Sequence, residues 1–163
     1  MNKAFVKGIH DVTPIWQVEI LWAVLAEGKD TDNSFSFIWE LCPKNSGATP
    51  HYHDQHEGFF VIEGSITYLA NGETLVAGPQ SFVWIPKGTI HSFRVDTEQA
   101  TLLNFYTPAG FEQAIMQLGT KAKAFTMPPK DFKDAQDKQK MMNLFEAIGM
   151  HIVDEEDVLR QAI

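Results

Sequence analysis

The chain has 163 residues and a formal net charge of −8 at pH 7, with 44% hydrophobic and 21% charged residues. This length suits one domain with a single buried core, and the acidic balance without clustered Lys and Arg argues against nucleic acid as a partner. Cys42 is the only cysteine, which excludes an intrachain disulfide and a zinc site built from several cysteines.

The sequence shows neither a secretory signal nor a membrane span. The first residues lack the apolar run and the small-residue cleavage site of a signal peptide. No segment approaches the roughly 20 apolar residues that cross a bilayer. A single cysteine is typical of a reducing compartment, and we therefore expect a cytoplasmic protein.

Up to residue 108 the chain alternates short apolar runs with turn signals. Residues 15–25 form a partly alternating run rich in Ile, Val and Trp that predicts the first strand, and residues 28–33 predict a polar turn. Asn71-Gly72, between two apolar runs, is the strongest hairpin signal in the chain. Further strands are predicted over residues 35–41, 51–62, 66–70, 74–77, 82–85, 91–95 and 101–106. Many short strands at close spacing indicate an antiparallel sandwich or barrel.

After residue 108 the pattern becomes helical. A short helix is predicted within residues 110–119, and a second over residues 134–148 ends at Gly149. Acidic residues 154–157 predict the start of a last short helix. We interpret residues 1–163 as a single domain, with a β core at about residues 35–107 and a helical extension over residues 109–163. The buried side of the second helix is expected to be an apolar stripe formed by Met141, Leu144, Phe145 and Ile148.

Two stretches carry residues suited to binding a metal. His51 and His53 alternate within a predicted strand and therefore project to one face, and Glu57 shares their parity if that strand continues. Two imidazoles and a carboxylate are ligands for a first-row divalent metal. His91 follows a tight turn predicted at residues 86–88 and is the expected fourth ligand.

The other candidates are assigned by parity and setting. His56 has the opposite parity to the ligands, so we expect it to face away, and we expect His10 and His151 to be surface residues and Glu63 to be solvated. Aromatic strand residues usually fill a core, although Phe82 and Trp84 could also line a pocket. Phe59 and Phe93 share the ligand face and are the expected residues of a substrate pocket.

These stretches resemble the two motifs of the cupin superfamily, G-x5-H-x-H-x3-E-x6-G and G-x5-P-x-G-x2-H-x3-N. The first is matched from His51 to Gly64, and the second at Pro86, Gly88 and His91. Two glycine spacings differ, and Val95 stands where the family often has Asn. The resemblance implies an all-β fold, an antiparallel jelly-roll barrel with a short C-terminal helical appendage.

A narrower resemblance concerns the tail, where residues 106–112, 126–129 and 148–152 are similar to single-cupin proteins grouped with quercetin 2,3-dioxygenases. It implies an oxidoreductase that opens the oxygenated ring of a flavonol with loss of carbon monoxide. Four protein ligands leave two positions open on a six-coordinate metal, as a catalytic site requires. Glu57 would act as the general base for a flavonol-like or other enolic or phenolic substrate. The ligand set accepts Fe, Mn, Ni, Co, Cu or Zn, so the cofactor is one divalent transition metal of unassigned identity.

Two other functions use the same residues. The chain could catalyse another metal-dependent cupin reaction, an isomerisation or a decarboxylation, without dioxygen. It could instead be a non-catalytic cupin that binds a small ligand. The apolar run at residues 15–25 would be an aggregation hazard as an exposed edge, and we therefore expect a homodimer, with neither nucleic acid nor a membrane as a partner.

Overall fold

The computed structural model describes residues 3–133 and 137–153, which form two antiparallel β-sheets and two helices. The strands are β1 Ile15–Gln17, β2 Ile20–Ala26, β3 Ser36–Pro43, β4 His51–His53, β5 His56–Glu63, β6 Ile66–Ala70, β7 Glu73–Ala77, β8 Phe82–Ile85, β9 His91–Val95, β10 Gln99–Thr107, β11 Thr120–Lys121 and β12 Met150–Ile152. The helices are α1 Phe111–Leu118 and α2 Lys138–Ala147, and a short 3₁₀ helix at Gly28–Asp30 replaces the predicted polar turn.

The strand order shows how the chain moves between the sheets. One sheet has seven strands in the order β11-β1-β2-β3-β10-β5-β8, and the other has five in the order β12-β4-β9-β6-β7. Every paired strand in the described part of the chain runs antiparallel, and the two ladders do not join into a closed barrel. The all-β prediction is confirmed, whereas full closure of the barrel is not observed.

The larger of two hydrophobic clusters in the described residues is built from the inner faces of both sheets. Ile38 and Leu102 come from the seven-stranded sheet, and Ile66 and Val95 come from the five-stranded sheet. All four are fully buried. In β3 and β10 buried residues alternate with partly exposed ones, as expected for strands with one face on the core. The core therefore depends on strict alternation in these two central strands.

The hairpin predicted at Asn71-Gly72 is present between β6 and β7. Ala70 pairs with Glu73 across it, and both turn residues have positive φ, 47° and 80°. This is the geometry that Asn-Gly favours in a two-residue hairpin.

The prediction of one strand over residues 15–25 is wrong. The chain reverses at Val18-Glu19, where Val18 has a φ of 55°, and β1 and β2 form a hairpin. Positive φ is unusual for a β-branched residue, so the sequence gives no turn signal there. Since β2 lies between β1 and β3, it is not an exposed edge and Leu21 is fully buried.

The prediction of one strand over residues 51–62 is also wrong. The chain bends at Asp54-Gln55, so that β4 belongs to the five-stranded sheet and β5 to the seven-stranded sheet. The parity between His51 and His53 holds within β4. The alternation does not extend to Glu57, because Glu57 lies on β5 in the other sheet and reaches the same point from there.

The tail contains more than helices. Helix α1 lies within the predicted range, α2 ends one residue before Ile148, and Gly149 has the positive φ of a helix stop, 68°. The apolar stripe of this second helix, Met141, Leu144, Phe145 and Ile148, is partly buried. In addition, β11 pairs with β1 and β12 pairs with β4, so the tail adds an edge strand to each sheet. The helix predicted at residues 154–157 lies outside the described residues.

The outer face of the seven-stranded sheet carries exposed aromatic side chains. Phe82 and Trp84 on β8 are 55% and 43% exposed, and Phe60 on β5 is 40% exposed. Phe82 and Trp84 therefore do not line an interior pocket. In the part of the chain that the structure describes, no helix has the length and apolar character to cross a membrane.

We expect Leu102→Ala to lower the free energy of unfolding by about 2–5 kcal/mol, because it leaves a cavity at a fully buried position. The same change at Leu75, which is 39% exposed on β7, is the matched control and should cost less than about 1 kcal/mol. Urea unfolding of the two variants measures the difference. Equal losses would contradict the assignment of Leu102 to the core.

Candidate metal centre

Four ligand-type side chains converge between the two sheets. His51 and His53 project from β4, His91 from β9 and Glu57 from β5. One ligand atom of each lies within 4.8 Å of the others, and all four residues are buried. The structure therefore brings together the four residues that the sequence singled out, and a buried set of three His and one Glu suits a single metal ion.

Strand pairing and one loop contact deliver these residues to a common point. His51 lies opposite His91 in the β4–β9 pair, and their ring centroids are 4.2 Å apart. The amide of Gly88 donates a hydrogen bond of 2.9 Å to the carbonyl of His53. Gly88 has a φ of 76°, a conformation that glycine adopts without strain. The loop at residues 86–88 thus links the two motif stretches directly.

Backbone carbonyls orient all three imidazole rings. The Nδ1 atoms of His51, His53 and His91 lie 2.8–2.9 Å from the carbonyl oxygens of Thr49, Gln55 and Thr89, respectively. A carbonyl only accepts, so each Nδ1 carries the proton and each neutral ring keeps its lone pair on Nε2. This arrangement of the second nitrogen is typical of metal-binding histidines.

Two of the three Nε2 atoms face an acceptor. Glu57 Oε2 lies 3.1 Å from Nε2 of His53 and 2.9 Å from Nε2 of His91. Neutral rings would place lone pairs against a carboxylate oxygen, so positive charge is needed at this point, supplied by protons or by a cation. The chemistry of the donor set therefore fits a divalent metal ion.

The pKa directions reflect this concentration of charge. Burial raises the pKa of Glu57, but its hydrogen bonds to His53 and His91 outweigh burial and hold that pKa well below the ordinary value. Burial lowers the pKa of His91, and the hydrogen bond and charge of Glu57 reverse this and raise it. Burial, together with the charge of His91, lowers the pKa of His51 to about 4. Glu57 is therefore ionised at neutral pH and His51 is neutral.

Sequence reasoning missed the residues behind Glu57. Asn104 on β10 donates from Nδ2 to Glu57 Oε1 over 2.9 Å, and Nδ2 lies 3.3 Å from the hydroxyl of Tyr106. Glu40 on β3 is fully buried, and burial together with the charge of Glu57 raises its pKa to about 8. A polar residue at an inward position of an alternating strand was the signal that could have identified Glu40 and Asn104.

The expected pocket residues, Phe59 and Phe93, lie in the interior between the two sheets. Phe59 is buried in the core, and Phe93 is partly buried and packs against it, with ring centroids 5.6 Å apart. The Tyr68 ring contacts Phe59 at 5.0 Å. Phe59 and Phe93 thus share the interior with the metal ligands, and their contact with a substrate stays a prediction.

The remaining histidines lie where the sequence indicated. The His56 ring stacks on Trp84, and its Nδ1 accepts a hydrogen bond from the amide of Lys87, outside the four-residue cluster. His10 and His151 are exposed, as is Glu63. These predictions are confirmed.

Known proteins resemble this chain in sequence and in fold. Residues 37–106 match the cupin domain family. Quercetin 2,3-dioxygenase of Bacillus subtilis is 29% identical over 109 residues, which are 66% of this chain and 32% of that protein. Quercetin 2,3-dioxygenase of Aspergillus japonicus is 25% identical over 67% of this chain and 33% of that protein. The chain thus spans about a third of the length of these curated relatives.

Solved structures share the fold at low sequence identity. An RmlC-like cupin from Shewanella frigidimarina superposes with a TM-score of 0.58 at 16% identity, covering 69% of this chain and 99% of that one. A protein from Thermotoga maritima described as a predicted oxalate decarboxylase gives a TM-score of 0.57 at 18% identity, covering 64% and 99%. These structural likenesses concern the fold alone. The match of residues 37–106 to the cupin domain family and the similarity to the two quercetin 2,3-dioxygenases support a cupin superfamily member that resembles the quercetin 2,3-dioxygenase-like group.

Proposed function

We propose that this cupin is a metal-dependent dioxygenase acting on a flavonol-like or other enolic or phenolic small molecule. The observation that carries the proposal is the convergence of three imidazole Nε2 atoms and the Glu57 carboxylate at one buried point. The two relatives named as quercetin 2,3-dioxygenases favour this reaction over other cupin chemistry.

His51, His53, Glu57 and His91 would hold the metal, one ion of Fe, Mn, Ni, Co, Cu or Zn. When bound, it supplies Lewis-acid stabilisation of the substrate oxyanion and the positions at which substrate and dioxygen meet. The protein contributes fixed imidazole orientations, because a backbone carbonyl holds each ring at Nδ1. Preorganised ligands require little rearrangement when the ion enters.

Glu57 is the proposed general base. Its carboxylate is ionised at neutral pH, as a proton acceptor must be, because its hydrogen bonds to His53 and His91 hold its pKa low. A bound metal would make an enol or phenol beside it more acidic, so that this weak base could accept the proton. The proton would reside on Oε2, which faces the site, since Oε1 is held by Asn104. The aromatic side chains of Phe59 and Phe93 would exclude water and contact a flat substrate.

The charge of the interior favours a neutral substrate. Among the buried residues that the structure describes, none is Lys or Arg, whereas the ionised carboxylate of Glu57 is buried there. A small dicarboxylate such as oxalate would enter this acidic interior without a cationic partner from the protein. A phenolic substrate enters the site uncharged and loses its proton to Glu57 only after it has bound. The charge of the interior therefore favours the dioxygenase over a decarboxylase.

The alternatives use the same four residues. An isomerase or decarboxylase would act without net consumption of dioxygen, and a non-catalytic cupin would bind a small ligand without turnover. Oxygen uptake therefore separates the proposed dioxygenase from both.

We expect His91→Ala to reduce the metal content of the purified, metal-reconstituted protein from about one ion per chain to a small fraction, because one of four ligands is lost. His56→Ala is the matched control, since His56 lies near the ligands but outside the cluster. Elemental analysis of both variants measures the outcome. Full metal occupancy in His91→Ala would rule out the proposed ligand set.

We expect the metal-loaded protein to consume dioxygen and release carbon monoxide with quercetin, but not with luteolin, which lacks the enolic 3-hydroxyl group. Glu57→Gln should lower turnover about a hundredfold or more at equal metal occupancy, because the base is lost. An oxygen electrode with carbon monoxide detection measures both effects. Equal uptake with the two flavonoids would contradict the need for the enolic hydroxyl group, and unchanged turnover in Glu57→Gln would contradict the role of Glu57 as base.

The homodimer stays a prediction. An exposed apolar edge at residues 15–25 no longer supports it, because β2 lies inside the sheet. We propose that a second copy covers the outer aromatic face around Phe82 and Trp84, which would otherwise expose apolar surface. Light scattering at micromolar concentration should give a dimer, and Trp84→Glu should shift it toward monomer. A monomeric wild-type protein would contradict this proposal.

A further inference from the structure

A second buried carboxyl group lies close to the metal centre without being a ligand. Glu40 projects inward from β3 and is fully buried, and Asn104, two residues beyond its partner Leu102 on β10, is 2% exposed. Asn104 lies within hydrogen-bonding reach of both carboxyl groups, since it donates to Glu57 and its side chain also interacts with Glu40, where a hydrogen bond from the amide lowers the pKa of Glu40 against the larger effect of burial. These contacts connect Glu40 to the ligand Glu57 through one amide side chain.

The contact with Glu57 shows which end of the Asn104 amide is the nitrogen. A carboxylate oxygen only accepts, so the atom of Asn104 that lies 2.9 Å from Glu57 Oε1 is the donor Nδ2. The amide oxygen, Oδ1, is then directed elsewhere, and it is buried without a hydrogen-bond partner in the structure. A buried acceptor of this kind needs a donor to offset its lost hydration.

Glu40 has an unmatched oxygen as well. Its Oε2 accepts a weak hydrogen bond from Cys42 Sγ at 3.7 Å, whereas its Oε1 is buried without a hydrogen-bond partner among the described residues. The hydroxyl of Tyr68 is also buried, has no hydrogen-bond partner in the described part of the chain, and lies within electrostatic reach of Glu40. No Lys or Arg is buried in the described chain to compensate an ionised Glu40. Desolvation therefore favours its neutral form, consistent with its raised pKa.

We propose that Glu40 is a neutral carboxylic acid that acts as a positioning residue of the metal centre, donating from Oε1–H to Oδ1 of Asn104. This hydrogen bond fixes the amide that holds Glu57 Oε1, and Oε2 is thereby kept toward the three imidazoles. The proposal rests on the proposed function only in taking Glu57 as a metal ligand, and it does not depend on the reaction.

The consequence is a dependence of metal affinity on a residue that does not touch the metal. Without the Glu40 donor, the Asn104 amide is free to turn and Glu57 loses its fixed orientation. Loss of such an outer hydrogen bond typically weakens metal binding about 10–100-fold. Because an amide N–H can replace the carboxylic O–H at the same place, Gln at position 40 should preserve the arrangement.

The test compares Glu40→Gln with Glu40→Leu, using Co²⁺ as the probe in the full-length protein. We expect Glu40→Gln to keep the dissociation constant within about twofold of wild type, and Glu40→Leu to raise it about tenfold or more. We expect the visible absorption spectrum of bound Co²⁺ to change only in Glu40→Leu. Wild-type affinity and spectrum in Glu40→Leu, or equal losses in both variants, would overturn the proposal.

A second measurement needs no metal and no Leu variant. The infrared spectrum of the metal-free protein at neutral pH should contain the carbonyl stretch of a protonated carboxyl group, and this band should be absent in Glu40→Gln. Its absence from wild type would overturn the proposal. If wild type binds no Co²⁺, the proposed function fails, and the infrared comparison still decides the state of Glu40.

Discussion

The buried negative charge of Glu57 is the constraint around which the site is arranged. Its carboxylate lies between the sheets, 2.9–3.1 Å from the Nε2 atoms of His53 and His91. The proton of each neutral ring lies on Nδ1, where it is donated to a backbone carbonyl. A carboxylate in such a place is costly unless positive charge accompanies it. A divalent ion would supply this charge, because it can interact with all four ligand atoms at once.

The rest of the fold serves to keep these atoms together. Glu57 and the histidines come from different sheets, so packing between the sheets fixes their separation. The tail contributes directly, because β12 pairs with β4 and Gln55 Nε2 donates to the carbonyl of Ile148. Gln55 also accepts from His53 through its own carbonyl. The C-terminal segment therefore supports the strand that carries two of the four ligands.

Sequence and structure disagree where the backbone changes direction without a turn signal. Asn71-Gly72 was predicted correctly because positive φ suits both residues, whereas Val18 adopts positive φ against its own preference. The bend at Asp54-Gln55 was missed because the surrounding residues read as one extended run. Glu57 was chosen on the assumption of an unbroken strand, and it reaches the site by a different route.

The sequence by itself determined the four candidate ligand residues, the all-β class and the end of α2 before Gly149, because residue type, motif spacing and local φ preferences are properties of short segments. Only the tertiary structure decided which sheet carries each ligand, that β2 is internal, and that Glu40 and Asn104 lie behind Glu57. These depend on pairing between strands far apart in the chain. A buried polar residue acquires its role from the neighbour it meets, and that neighbour is fixed by strand register.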